Sequence, residues 1–256
     1  YVADNYHYFT DVRANATVVT NSGANSGIPY QFYNYTLTEE NVYVYNRYSQ
    51  LYKIISRANT LFAHLGDVSY ATPSARDTYE AEARFLRAYF YFELVKRYGG
   101  VPIIGDKVYE LNENIELPRS TFEQCIKYIV SELDDIKDDL RSLPLPDAAA
   151  SAHVVNTQAA QALKIRVLLY AASPLFNEKP IESGNELIGY ASYDRERWKI
   201  AADAARNFIN TYGTGDGAIM GLDDNFKNVF TNWYSNEHKE VIFFRENAMD
   251  KTVETA

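Results

Sequence analysis

The chain has 256 residues, of which 23% are charged and 46% hydrophobic, a balance typical of a globular protein with a full hydrophobic core. The net charge is −9 and no stretch concentrates Lys and Arg, which argues against a nucleic-acid-binding protein because phosphate binding needs clustered basic side chains. No apolar run reaches the roughly 18 residues that a membrane-spanning helix needs.

The first 37 residues show no helical period and are rich in Asn, Thr, Ser, Gly and Tyr. Residues 21–27 predict a loop, because Gly and Asn tolerate a positive φ and Asn and Ser bond to their own backbone. An aromatic group follows the loop and consists of Tyr30, Phe32, Tyr33 and Tyr35.

Helical periodicity begins near Glu39 and recurs along most of the chain. Apolar residues at three- and four-residue spacing predict amphipathic helices over 39–65, 75–98, 120–140, 157–173 and 194–213. The pair Gly99-Gly100 predicts the end of the second helix. Ser120 predicts the N-cap of the third, with Glu123 completing a capping box, and Asp194 predicts the N-cap of the fifth.

The second, fourth and fifth predicted helices each mix Ala with a few large hydrophobes on one face. Small residues let neighbouring helix backbones approach, and large ones fill the gaps. The pattern predicts a mainly α fold of tetratricopeptide-like stacked helical hairpins, with long loops and a few short strands. Trp198 and the single cysteine, Cys125, are then predicted to be buried between helices.

The segment 240–245 changes character and reads Glu-Val-Ile-Phe-Phe-Arg. This run predicts one short buried strand. A lone strand needs a partner, which would come either from the N-terminal region or from beyond Ala256.

Residues 82–102 resemble the signature helix of the SusD/RagB family, which typically reads E-A-x-F-L-R-A-x-x-Y-F-x-L-x-x-x-Y-G-x-V-P. Further stretches agree with that family in the same order: 48–59, 118–121 with 129–133, 159–170, 197–205 and 240–243. Two features depart from the family pattern. Tyr48 stands where a Trp is frequent, and the lipidated N-terminal Cys is missing.

The resemblance implies a nutrient-uptake lipoprotein on a Bacteroidetes-type outer membrane. It would act as a lid on a SusC-like TonB-dependent β-barrel and capture glycans, or in some members peptides, without a cofactor. Because family members are about twice as long, the chain is expected to be one helical domain over residues 1–256, forming the N-terminal half of a longer protein. Contact with the membrane would be made only through a lipid anchor that this chain lacks.

The motifs of common enzyme classes are missing from the sequence. The four histidines do not form a His-Glu-x-x-His site, and no Gly-x-Ser-x-Gly elbow occurs. Residues 213–217 look like a nucleotide loop, but they follow a predicted helix and precede none, which favours a connector. Residues 223–225 offer oxygens without the alternate spacing of a calcium loop. The acidic pairs 134–135 and 138–139 are predicted to form the solvated face of a helix.

Sugar binding needs aromatic rings that stack on pyranose C–H faces and polar side chains that pair with hydroxyls. Loops that combine the two are therefore the candidate ligand sites. They offer Tyr30 and Tyr33, then Trp233, Tyr234 and Asn236, and more weakly Tyr6 and His7. Ordinary packing between helices remains the alternative for each of these aromatic side chains.

Four functions remain open at this point. The first is capture of an oligosaccharide for a TonB-dependent importer, and the second is capture of a peptide on the same fold. The third is a helical-repeat scaffold that binds only protein. The fourth is an all-helical glycosidase, which would need two carboxylates in one cleft. We favour the first, with no catalytic residue and no metal.

Overall fold

A computed structural model of the chain describes residues 42–110, 112–143, 154–215, 217–231 and 239–243. The described elements are α1 (Val42–His64), a 3-10 turn (Leu65–Asp67), α2 (Pro73–Tyr98), α3 (Phe122–Asp135), α4 (Thr157–Ala172), α5 (Pro174–Asn177), α6 (Glu196–Phe208), a π-helical turn (Ile209–Gly213) and α7 (Phe226–Thr231). The chain divides into two compact units, Tyr1–Lys53 and Ile54–Ala256. In the described ranges no helix is both long and apolar enough to cross a membrane.

The described part of the first unit is the beginning of α1. Tyr48 and Tyr52 lie one turn apart, and their ring centroids are 4.8 Å from each other. Nη1 of Arg47 donates to Oε1 of Gln50 at 3.4 Å. Both pairs use the three- and four-residue spacing that brings side chains together on a helix surface.

Side chains of the preceding residues cap the long helices of the second unit. Thr72 caps α2, where its Oγ1 accepts from N of Ala75 at 3.2 Å and Pro73 occupies the first turn. Asn156 caps α4 in the same way, since its Oδ1 accepts from N of Ala159 at 2.8 Å. These caps satisfy N–H groups that have no partner inside the helix.

The predicted capping box of α3 is wrong by one residue. Thr121, not Ser120, is the N-cap: its Oγ1 accepts from N of Gln124 at 3.1 Å, and Oε1 of Gln124 accepts from N of Thr121 at 2.8 Å. Ser120 lies outside the helix because its N–H donates to the carbonyl of Val101 at 3.2 Å. Regular α-helix ends at Asp135, which is five residues short of the predicted end.

The predicted N-cap of α6 is also displaced by one residue. The helix begins at Glu196 with Arg195 at the N-cap position, yet Oδ1 of Asp194 still accepts from N of Glu196 at 2.9 Å. The backbone of Asp194 is held outside the helix by Asn177. Its N donates to Oδ1 of Asn177 at 3.0 Å, and its carbonyl accepts from Nδ2 at 2.9 Å.

Helices α2 and α3 pack side by side and run antiparallel. In the middle of α2, Arg84 pairs with Glu132 near the end of α3 at 2.9 Å. Farther along α2, Tyr91 meets Tyr128 with ring centroids 5.2 Å apart. The residue numbers therefore rise along one helix and fall along the other, which confirms the predicted nesting for this pair.

The same antiparallel arrangement continues from α3 to α4 and from α4 to α6. Nζ of Lys164 on α4 lies 2.6 Å from Oδ1 of Asp134 on α3. Nε2 of Gln161, near the start of α4, donates to the hydroxyl of Tyr212, just beyond α6, at 3.1 Å. The predicted stack of helical hairpins is thus confirmed for α2, α3, α4 and α6.

The core between these helices combines large apolar side chains with alanines at points of close approach. Its fully buried large members include Tyr91, Phe92, Leu94, Phe122, Ile129 and Leu133, and its buried alanines include Ala88, Ala160 and Ala201. Cys125 is buried among them, as predicted, and N of Val101 donates to its Sγ at 3.4 Å. Burial raises the pKa of the Cys125 thiol, so it stays protonated and acts as a small hydrophobe.

Trp198 is not a core residue, contrary to the prediction. Its side chain is 38% exposed, whereas Ala201 is the buried residue of α6. Periodicity identifies the apolar residues of a helix, but it does not show which of them a neighbouring helix covers. In α6 the small residue, not the large one, lies against the stack.

The predicted strand at 240–245 is also wrong where it can be checked. Residues 240–243 form no strand, and among the described residues the only β-type contact is an isolated parallel bridge between Arg141 and Asn156. The carbonyl of Ile242 accepts from Nδ2 of Asn156 at 2.9 Å, and Phe243 packs edge-on against Phe85 at 5.9 Å. The segment is apolar because it covers helices, and no described strand lies beside it to complete a ladder.

The turn after α2 depends on two glycines that lie against backbone. Gly99 adopts φ 69°, a conformation that side chains disfavour. The N–H of Gly100 donates to the carbonyl of Leu187 at 2.5 Å, and Nε of Arg119 donates to the carbonyl of Gly100 at 2.7 Å. A Cβ on Gly100 would overlap the carbonyl oxygen of Ser120.

A buried carboxylate near the end of α2, that of Glu93, lies between two cations. Glu93 pairs with Lys96 and with Arg97, and its Oε2 lies 2.5 Å from Nη1 of Arg97. Burial by itself would raise the pKa of Glu93, but the two cations outweigh it and hold the pKa below the ordinary value of 4.5. The ion pairs therefore stabilise the fold fully above the unfolded-state value, and this stability is lost as the pH falls through the folded-state value.

We expect Glu93→Gln to lower the free energy of unfolding at pH 7 and to flatten its decline between about pH 5 and pH 3. Urea titrations at several pH values measure both effects. In the double variant Lys96→Met/Arg97→Met, burial alone would raise the pKa of Glu93. Acid would then neutralise a buried charge, so we expect the free energy of unfolding to rise as the pH is lowered through that pKa. A Glu93→Gln profile parallel to that of the unaltered chain would contradict this account.

Candidate functional site

The candidate ligand residues of the sequence all lie outside the described ranges. They are Tyr6, His7, Tyr30, Tyr33, Trp233, Tyr234 and Asn236. Their role as an aromatic platform therefore stays a prediction. The structure does describe the residues that flank the segment containing Trp233.

The two ends of that segment are joined by hydrogen bonds. N of Gly221 donates to the carbonyl of Lys239 at 3.1 Å, and N of Asp223 donates to Oε2 of Glu240 at 2.7 Å. Nζ of Lys239 donates to the carbonyl of Ala218 at 2.9 Å. These three hydrogen bonds hold residues 218–223 and 239–240 next to each other, although the segment that contains Trp233 separates them along the chain.

The oxygens at 223–225 serve the local backbone. Oδ1 of Asp223 accepts from N of Asn225 at 2.8 Å and from Nδ2 of Asn228 at 3.2 Å. Oδ1 of Asn225 accepts from N of Lys227 at 3.0 Å, at the start of α7. Within the described part of the chain, no group of three or more His, Cys, Asp or Glu side chains is arranged to hold a metal ion.

The acidic pairs on and after α3 divide between two environments. Asp134 pairs with Lys164 on α4, while its side chain stays 41% exposed. Asp135 is exposed and lies 3.2 Å from Arg84. Asp138 and Asp139 are exposed, as predicted.

A buried polar cluster connects α1, α2, α3 and the loop after α2. We call it the Arg87–Glu132 cluster, and its members are Asn59, Arg84, Arg87, Asp106 and Glu132. Arg87 is only 2% exposed; its Nη1 donates to Oδ1 of Asn59 at 2.8 Å and to Oδ1 of Asp106 at 2.6 Å. Its Nη2 donates to Oε2 of Glu132 at 2.7 Å. A buried guanidinium with several partners is held in one orientation.

Glu132 is shared between both arginines of the cluster. Nε and Nη2 of Arg84 donate to its two oxygens at 3.2 Å and 2.9 Å, which is a bidentate contact. The hydrogen bond from Arg84 to Glu132 is the largest cause of the raised pKa of Arg84. For Arg87, burial lowers the pKa, but its own hydrogen bond to Glu132 and the neighbouring groups outweigh burial and raise the pKa. Both guanidinium groups therefore stay charged inside the helical stack.

The cluster also fixes the base of the long loop between α2 and α3. Nδ2 of Asn59, whose residue is 0% exposed, donates to the carbonyls of Gly105 and Lys107 at 2.8 Å and 2.9 Å. The hydroxyl of Tyr91 accepts from N of Ile104 at 2.9 Å. Sequence reasoning missed this arrangement, although a charged Arg87 on the apolar face of a predicted helix was a usable signal.

Comparison with protein families gives a match to a model described as SusD-like, "Starch-binding associating with outer membrane", over residues 2–169. Among curated proteins the chain is similar to "SusD-like protein P38" of Formosa agariphila. The two are 26% identical over 107 residues, which cover 42% of this chain and 20% of that protein.

Three solved structures with the same fold come from Bacteroides species. A SusD-like protein of Bacteroides fragilis aligns with TM-score 0.65 and 23% identity, over 97% of this chain and 44% of the other. A SusD-like carbohydrate binding protein of the same species aligns with TM-score 0.65 and 19% identity, over 95% and 46%. Surface glycan-binding protein A of Bacteroides uniformis aligns with TM-score 0.60 and 21% identity, over 83% and 40%. The chain thus spans less than half the length of each, and these likenesses concern the fold.

Proposed function

The chain belongs to the SusD-like family, and on that basis we propose that it is part of a surface protein that binds oligosaccharides without cleaving them. The observation that carries this proposal is the family match over residues 2–169, which includes α1, α2, α3 and most of α4. Relatives of the same fold are named as carbohydrate-binding and glycan-binding proteins. Our proposal extends that property to this chain.

The architecture is compatible with such a role. Stacked antiparallel helices form a body held by large buried side chains and by the Arg87–Glu132 cluster. Loops outside a rigid body can present aromatic and polar side chains with little reorganisation on binding. We propose that ligand is bound by Tyr30 and Tyr33, and by Trp233, Tyr234 and Asn236, with Tyr6 and His7 contributing less.

We further propose that the captured glycan passes to a SusC-like TonB-dependent transporter at the outer membrane. The family description, which places its members in association with the outer membrane, supports this location. A lipid anchor on the longer protein would then make the membrane contact. That the chain is the N-terminal half of such a protein remains a prediction.

Trp233 allows the binding proposal to be tested directly, because the chain has two tryptophans, Trp198 and Trp233. The variant Trp198→Phe leaves Trp233 as the single indole. We expect maltoheptaose or laminarihexaose to shift its fluorescence emission during titration. We expect Trp233→Ala to weaken binding, measured by calorimetry, by about tenfold or more, because a stacking aromatic is lost.

Trp198→Ala is the matched control, since Trp198 is an exposed indole on α6. It should leave glycan affinity unchanged. Calorimetry with a mixed peptide panel and a reducing-sugar assay complete the design. Binding of peptides but of no glycan would replace the proposal with peptide capture, and release of reducing sugar would make the protein a glycosidase. The absence of both kinds of binding would favour a protein-binding scaffold.

A further inference from the structure

A cavity of about 460 Å³ lies beside the Arg87–Glu132 cluster, on the helical body. Its volume falls within the roughly 300–1,000 Å³ that small-ligand sites occupy. Three helices and one loop line it, through Phe62 of α1, Glu80, Arg84 and Arg87 of α2, Glu132 of α3 and Asp106.

Carboxylates outnumber guanidinium groups around this cavity. Two guanidinium groups, on Arg84 and Arg87, face three carboxylates, on Glu80, Asp106 and Glu132. Asp135 adds a fourth carboxylate through its contact with Arg84 at 3.2 Å, and Arg76 adds a third guanidinium group 3.8 Å from Glu80. The excess is negative, and an anionic ligand would therefore meet net repulsion at short range.

The rim of the cavity keeps hydrogen-bonding capacity for a ligand. Asp106 uses Oδ1 for Arg87, while its side chain is 77% exposed. Glu80 has Arg76 at 3.8 Å, which is longer than a hydrogen bond. Arg84 engages its described partners through Nε and Nη2, so the two N–H groups of Nη1 remain for a ligand. Donors and acceptors therefore lie side by side.

The cluster beneath holds these groups in place before any ligand arrives. Arg87 is fixed by Asn59, Asp106 and Glu132, and Glu132 is fixed by both arginines. Groups that are already ordered lose little conformational entropy on binding. Hydroxyl groups suit the arrangement because each can donate to a carboxylate and accept from a guanidinium.

We propose that this cavity is a binding site for a small polyhydroxyl ligand, one or two sugar rings in size, which is neutral or cationic. It selects against acidic sugars, because its carboxylates outnumber its guanidinium groups. The site lies on the helical body and uses none of the aromatic loop residues. It therefore stands independently of the proposed aromatic platform.

Three sugars of one ring size test the charge preference: glucosamine, glucose and glucuronic acid, which are cationic, neutral and anionic near pH 7. Saturation-transfer NMR titrations with the complete chain give each dissociation constant. We expect glucosamine to bind most tightly and glucuronic acid about tenfold or more weakly. No saturation transfer from any of the three, or equal affinity for all, would overturn the proposal.

Isosteric variants assign the preference to this cavity. Glu80→Gln/Asp106→Asn removes two negative charges, and we expect the glucosamine preference to shrink by about tenfold. Glu178→Gln/Asp224→Asn removes two exposed charges elsewhere and should leave it unchanged. Glu80→Gln alone, at a side chain without a close partner, keeps the test valid if the Asp106 variant unfolds. An unaltered preference in Glu80→Gln would refute the assignment.

Discussion

Replacement of Gly100 by alanine is expected to lower the free energy of unfolding by about 3 kcal/mol or more, which is a large fraction of the stability of a typical domain. A Cβ at this position would overlap the carbonyl oxygen of Ser120 and would lie 2.9 Å from the carbonyl carbon of Thr121. Both obstacles are backbone atoms, so no side chain can rotate away. Relief would require a shift of the segment that begins α3.

Alanine substitutions at two other glycines serve as controls, because they show how much of the loss is caused by steric overlap and how much by backbone strain. Gly66 has no atom within 4 Å of an added Cβ, and Gly66→Ala should change stability little. Gly105 has equal space but adopts φ 58°, so Gly105→Ala reports backbone strain alone, about 1–2 kcal/mol. Urea unfolding followed by circular dichroism measures all three variants. A Gly100→Ala value close to that of Gly66→Ala would show that the turn yields more easily than the structure indicates.

Arg87→Met is expected to cost about 3 kcal/mol of stability, because it removes one partner from a buried ion pair. Methionine preserves most of the volume, so the loss is mainly electrostatic. Glu132 would keep Arg84 but lose the bond from Nη2 of Arg87, and Oδ1 of Asn59 would lose its donor. The long loop would also lose its two contacts with Arg87, at the carbonyl of Gly105 and at Oδ1 of Asp106.

A double-mutant cycle with Glu132→Leu tests whether the two charges act as a pair. The double variant Arg87→Met/Glu132→Leu should be less destabilised than the sum of the single variants, because no buried carboxylate is left without Arg87. The exposed pair Glu196 and Lys199 is the matched control, and Lys199→Met should have little effect. Additive losses in the Arg87 cycle would mean that the ion pair contributes nothing beyond its separate side chains.

Both expected effects arise where distant parts of the chain meet at the helical body, whereas the aromatic loops are expected to affect binding alone. This difference allows the two kinds of variant to be told apart. A loss of stability should accompany Gly100→Ala and Arg87→Met. Trp233→Ala should instead reduce glycan binding in a chain that unfolds at an unchanged urea concentration.

The five long helices and their order could be predicted from local pattern, whereas the short helices α5 and α7 were not predicted. Residues 75–98 carry their own period and their own stop at Gly99-Gly100, and helix α2 ends at Tyr98 as predicted. Helix caps were predicted only to within one residue. Ser120 and Thr121 are adjacent hydroxyls, and the contact of Ser120 with Val101 decides that Thr121 caps the helix.

The candidate loop residues could be predicted from the sequence, whereas the cavity could not. Aromatic loops can be found by composition, and they remain predictions for Tyr30 and Trp233. The cavity beside the Arg87–Glu132 cluster could not be found from sequence, since Arg87 and Glu132 are 45 positions apart along the chain. Spacing within one helix contains no information about a partner on another helix.

The sequence by itself determined that five long helices occur in this order, that they stack as hairpins and to which family the chain belongs, because these properties depend on neighbouring residues and on ordered motifs. Only the tertiary structure decided that Trp198 is exposed, that residues 240–243 cover helices without forming a strand, and that Arg87 meets Glu132. The physical reason is that burial and ion pairing depend on which faces meet in space, and hydrophobic periodicity is the same whether or not a face is covered.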